Sequence, residues 1–121
     1  MTTQTTSAFD ISEFQRGYEQ WDIEALLATY ADDVEQTLMD DGAPPSSPAV
    51  HTGKAPLEQM FRHCKEHGVR ATVTNPVVGV DRAAATVTCE FPTGRKVVAN
   101  VILELRDGRI ARELATSARD E

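Results

Sequence analysis

The chain has 121 residues, 40% hydrophobic and 26% charged, the size and balance of a single domain with one core. A net charge of −7 and twelve scattered basic residues leave no run of Lys or Arg to track a phosphate backbone, which excludes the usual nucleic-acid binder and disfavours anionic membrane surfaces. Cys64 and Cys89 stand far apart in no C-x-x-C arrangement, and Met1–Ser7 is polar where a leader would be apolar; the expectation is a cytoplasmic protein with reduced, buried thiols.

Ile11, Phe14, Tyr18 and Trp21 recur at three- or four-residue spacing, one stripe of a helix, with Asp10 and Glu13 or Ser12 and Gln15 as its capping start. Asp22 restarts a second, shorter helix that buries Ile23, Leu26, Leu27 and Tyr30 and ends at Ala31-Asp32-Asp33. Val34–Met39 alternates loosely and predicts a short edge strand. Asp40–Pro48 holds three prolines, two serines and a glycine, a loop of the kind found at pocket mouths. A third helix is predicted from Lys54 to His67, with Pro56 in its first turn, Leu57, Met60, Phe61 and Cys64 on its apolar face and Gly68 as its stop.

From Val69 the period changes to two. Val69–Thr74, Ala83–Phe91, Lys96–Leu105 and Ile110–Ser117 read as strands, with a bend at Pro76–Gly79 and tight turns at Pro92-Thr93-Gly94 and Arg106-Asp107-Gly108-Arg109. Helices segregated from a run of strands predict an α+β fold, a cone-shaped curved antiparallel sheet wrapped around three N-terminal helices, with a central pocket. Residues 1–8 are expected to be disordered, 9–117 to form the domain and 118–121 to be a tail.

Trp21–Val34 is very similar to the opening helices and first strand of SnoaL-like polyketide cyclases and ketosteroid isomerases, within the nuclear-transport-factor-2-like superfamily. Gly53-Lys54-Ala55-Pro56-Leu57 looks like the start of that family's third helix, and Leu103–Ile110 like its last hairpin. The resemblance covers residues 9–117 in order. It implies a cofactor-free enzyme without metal, or a non-catalytic binding or assembly protein, and a homodimer formed through the sheet. It also implies a pocket for a hydrophobic polyketide-, terpenoid- or steroid-like molecule, lined by Phe14, Tyr18, Gln36, Leu38, Phe61, Val101, Leu103 and Ala115.

The family's catalytic positions carry apolar residues here. The isomerase base aligns with Leu38, its two oxyanion donors with Phe14 and Val101, and the cyclase base with Ala115; none of these side chains donates a hydrogen bond or takes a proton. Epoxide-hydrolase-like members need an Asp–Arg–Asp set, yet the strands after residue 69 contain no aspartate outside turns. Replacement groups are therefore sought nearby. Glu113 lies two residues before Ala115 and shares its face on a strand. Inside the pocket it would be a desolvated general base; the alternative is a solvent-facing Glu on a strand whose Ile110 and Leu114 face the core. Asp40 at the pocket mouth and His51 ahead of the third helix are further acid–base candidates, Asp40 being equally a turn residue and His51 a surface one. Gln36 and Tyr18 are candidate donors. His63 and His67 have metal-compatible spacing but lack a third ligand, so no metal is assigned.

Overall fold

The computed structural model describes residues 9–120. The first eight, expected to be disordered, lie outside that range. Helix α1 (Ile11–Gln20) starts where the Asp10 carboxylate accepts the Glu13 N–H at 3.1 Å. It ends at Trp21, whose φ of 49° turns the chain so that Asp22 caps α2 (Ile23–Ala28) at once. Gly17 allows the two helices to touch, because a Cβ there would stand 2.8 Å from Leu26 Cβ.

Helix α2 is shorter than its apolar spacing suggests. The Thr29 hydroxyl donates to the Leu26 carbonyl at 2.6 Å, and Tyr30 opens strand β1 (Tyr30–Met39) where a helix residue was expected. A short strand β2 (Ala49–Thr52), absent from the sequence reading, emerges from the Pro-rich loop. Helix α3 (Ala55–Glu66) has Pro56 in its first turn, and Gly68 at φ 69° follows its end. The strands β3 (Arg70–Val78), β4 (Arg82–Glu90), β5 (Lys96–Arg106) and β6 (Arg109–Arg119) complete the chain. The β5–β6 turn, Asp107-Gly108, has φ of 54° and 77°, both positive as a two-residue type I′ hairpin requires.

The α+β class and the curved sheet agree with expectation, and β2 brings the strands to six. The order is β2-β1-β6-β5-β4-β3, and here two corrections arise. The sheet is not antiparallel throughout, because β1 runs parallel to β6. Nor does β1 lie at an edge, since β2 covers its outer side. A parallel pair needs a long crossover, and everything between residues 40 and 108 supplies it. The expected tail is also partly sheet: Ala118 and Arg119 pair with Val98 and Val97.

The core lies between the helices and the concave face of the sheet. Phe14, Tyr18, Trp21, Tyr30 and Phe61 meet there, with Phe14–Tyr18 and Tyr18–Phe61 edge to face at 5.2 and 5.5 Å. Such pairs contribute about 0.5–1.5 kcal/mol each beyond the burial of their area. Helix α1 also blunts the free edge of β3: at Val73, Glu19 accepts the backbone N–H and Gln15 donates to the carbonyl. No helix among the described residues is long and apolar enough to cross a membrane.

Candidate functional site

Strand β6 does not alternate cleanly. Ile110 pairs with Leu105 and Arg112 with Glu104, which leaves Ala111 as an extra residue opposite the same pair. The bulge shifts the phase by one, so Glu113 and Ala115 join Ile110 on the concave side while Leu114 turns outward. Simple alternation from Ile110 would have placed Glu113 in water. Instead its side chain is 3% exposed and lines a cavity of about 230 Å³ between α1, α3 and the sheet.

Two donors hold the Glu113 carboxyl group. The Tyr30 hydroxyl donates to Oε1 at 2.8 Å, and the Gln36 amide donates to Oε2 at 2.6 Å. The Gln36 carbonyl oxygen lies 3.1 Å from His51 Nδ1. Burial raises the proton affinity of Glu113 above its ordinary value, and the two hydrogen bonds only partly oppose that rise. The hydroxyls of Tyr18 and Tyr30 are also pushed well above the usual phenol range, first by burial and then by the neighbouring Glu113 carboxylate. Both therefore remain neutral donors. No fully buried side-chain nitrogen or oxygen among the described residues lacks a partner.

The expected site residues divide by position. Glu113, Asp40, Tyr18, Gln36, Leu38, Phe61, Val101 and Ala115 all border the cavity. Phe14 and Leu103 do not; both are fully buried in the packed core, because their faces meet other side chains before reaching open space. His51 is half-buried outside the cavity and reaches it through Gln36. Asp40 combines both of its expected roles, bordering the mouth while its Oδ1 accepts the Gly42 N–H at 2.8 Å. Tyr30 is the hydrogen-bond partner of Glu113 that sequence reasoning missed, because its spacing after Leu26 and Leu27 assigned it to a helix. Its one visible signal was a tyrosine beside the Ala31-Asp32-Asp33 break.

Cys64 and Cys89 are free and border the cavity rather than the solid core, and burial raises both thiols, Cys89 to about 11. At neutral pH neither is a ready nucleophile. His63 and His67 are exposed and stacked on each other at 4.1 Å, and no trio of metal-ligating side chains assembles among the described residues. A wider surface groove of about 720 Å³ lies elsewhere, lined by Asp10, Glu13, Asp32, Asp33, Arg106 and Arg109 among others. It is open and charged, Asp33 is ion-paired with Arg106, and no buried titratable group faces it. The smaller cavity instead holds a buried carboxyl group beside neutral hydroxyl and amide donors in apolar walls.

A family model described as the SnoaL-like domain matches residues 11–113. No curated protein matches the sequence significantly. Among solved structures, a candidate ketosteroid isomerase from Kribbella flavida DSM 17836 is 22% identical, covers 92% of this chain and 75% of its own, and superposes with a TM-score of 0.70. A protein of unknown function with the nuclear-transport-factor-2-like fold, from Mesorhizobium loti, is 20% identical over 88% of this chain and 86% of its own, with a TM-score of 0.72. A candidate polyketide cyclase from Sinorhizobium meliloti is 23% identical over 87% and 91%, with a TM-score of 0.62. At these identities the likeness is one of fold.

Proposed function

The chain belongs to the SnoaL-like family, and from that premise we propose that it is a cofactor-independent enzyme in which Glu113 is the general base toward a small, neutral, hydrophobic substrate. One observation carries the reading: a carboxyl group 3% exposed, aimed into an otherwise apolar cavity. Burying such a group is unfavourable, and an apolar residue would fill the position at less cost. Desolvation is also what a carboxylate needs to take a proton from carbon beside a carbonyl, or from water, near neutral pH. Tyr18 borders the same cavity as a neutral donor and is the candidate to stabilise the oxyanion that forms.

Size and charge narrow the substrate. About 230 Å³ accommodates roughly a dozen non-hydrogen atoms at close packing. That favours a monocyclic or bicyclic polyketide- or terpenoid-like molecule; a tetracyclic steroid would stand partly in solvent. No Lys or Arg among the described residues borders the cavity, while Glu113 and Asp40 do, so an anionic substrate is disfavoured. The test is turnover of small cyclic enones, ketones and epoxides. Glu113→Gln is expected to lower kcat by about 10²–10⁴-fold with affinity nearly unchanged. A variant that keeps full turnover would end the proposal.

A second reading has its own support. Leu38, Val101 and Ala115 are apolar where related enzymes carry catalytic groups, and all three border the cavity. A non-catalytic ligand-binding protein would show no turnover in either form and equal affinity in both.

The proposed partner beyond the substrate is a second copy of the chain. On the outer face of β4–β5–β6, the rows Ala84–Ile102–Leu114, Thr86–Asn100–Thr116 and Thr88–Val98–Ala118 form a patch without a charged residue. Ile102 is 48% exposed there, and Val98 and Leu114 38% each. A cytoplasmic location is supported by the two free thiols.

A further inference from the structure

Gln36 sits in one row of the sheet with His51 on one side and Glu113 on the other. A primary amide presents a donor at one end and an acceptor at the other, and its neighbours decide which faces which. An ionised carboxylate can only accept. Facing one, Gln36 must turn its NH₂ group inward, and its oxygen then meets His51 Nδ1 at 3.1 Å. That contact is a hydrogen bond only if His51 carries a proton on Nδ1. If Glu113 instead holds a proton and donates it along this row, the amide must rotate, and His51 Nδ1 must become the acceptor.

We propose that His51 is a positioning residue for Glu113: its Nδ1–H holds the Gln36 oxygen, keeps the amide N–H directed at the carboxylate, and so favours the ionised form that a base requires. The proposal rests on the reading of Glu113 as the base only for its consequence; the hydrogen-bond chain stands without it. The other groups around Glu113 are Tyr30 from β1, Asp40 just past the end of that strand, Tyr18 from α1, Cys64 from α3 and Cys89 from β4. None is cationic. The remaining carboxylate at this level of β1, Glu35, turns to Arg112 on the outer face. Stabilisation of the anion therefore falls to neutral donors, and the Gln36 amide, unlike the Tyr30 hydroxyl, has an orientation that a neighbour must choose.

The experiment is ¹³C NMR titration of the Glu113 side-chain carboxyl in the ligand-free protein, with ¹⁵N spectra of the His51 ring. In the unaltered protein the proton is expected on Nδ1 wherever Glu113 is ionised. Gln36→Leu and His51→Phe should each raise the Glu113 midpoint by about one pH unit. His51→Asn, whose side-chain amide can donate from nearly the same place, should bring it back. A purely structural role would not distinguish Asn from Phe in this way. An unchanged midpoint in His51→Phe, an Asn variant that behaves like Phe, or a proton on Nε2 with Glu113 ionised would overturn the proposal. The ring spectrum needs no variant, so the test survives a substitution that fails to fold. Failure here would leave Glu113 as the base to be judged on Glu113→Gln turnover alone.

Discussion

In its proposed role as the base, Glu113 links stability to function through its proton. Below its ordinary pKa, near 4.5, folded and unfolded chains are both protonated and the buried acid contributes fully to stability. As pH rises, the unfolded chain releases the proton first while the folded chain retains it. Stability then falls by up to about 1.4 kcal/mol per pH unit until the raised folded-state pKa is passed. Glu113→Gln removes that decline. Urea unfolding from pH 4 to 7 should therefore show the variant gaining on the unaltered protein as pH rises, and parallel curves would sink the claim of a raised pKa. Tyr18 belongs to the same scale. Tyr18→Phe should lower turnover by about 10²-fold, as for a lost oxyanion donor, with little change in fold because the ring contacts with Phe14 and Phe61 persist. Full activity in Tyr18→Phe would assign the hydroxyl to packing. Of these residues, Glu113, Gln36 and Tyr18 were legible as candidates from spacing and resemblance. Tyr30 was not, since a helical stripe and a strand start look alike over four residues.

At the scale of elements, two small features place the site. The first is Gly17. Its close approach to Leu26 sets α1 against α2, and alanine there would collide with a backbone and a Cβ that cannot yield cheaply. Gly17→Ala is expected to cost about 1–3 kcal/mol in urea unfolding. Elsewhere in a helix the same change would gain up to about 1 kcal/mol, so a stabilised variant would refute the contact. The second feature is the Ala111 bulge, which turns Glu113 from the outer face to the cavity. Nothing in Ile110–Ser117 marks the extra residue, and the period of two pointed the other way. Strand β2 was hidden for a similar reason: four residues, one of them an exposed valine, carry no pattern until β1 pairs with them.

For the whole molecule, the uncharged outer patch is the surface on which the proposed self-association turns. Three exposed branched side chains, Val98, Ile102 and Leu114, lie on adjacent strands with threonines and an asparagine between them. Light scattering at micromolar concentration should give a dimer, and Ile102→Glu should give a monomer, since two like charges would face each other across a two-fold contact. A monomer in the unaltered protein would end this reading. The cavity lies on the opposite, concave side, so Ile102→Glu is expected to leave turnover per chain largely intact.

The amino-acid pattern alone determined the class of fold, the three helices, the four long strands and their turns, because amphipathic periods, caps and positive-φ turn residues are local properties. It also confined the chemistry to a few polar residues near apolar positions. The tertiary structure alone decided which of them meet. The parallel pairing of β1 with β6 puts Gln36 beside Glu113, and a bulge of one residue turns that acid inward. The first joins residues more than seventy apart in the chain, and the second is a shift of hairpin register that the spacing along β6 does not mark.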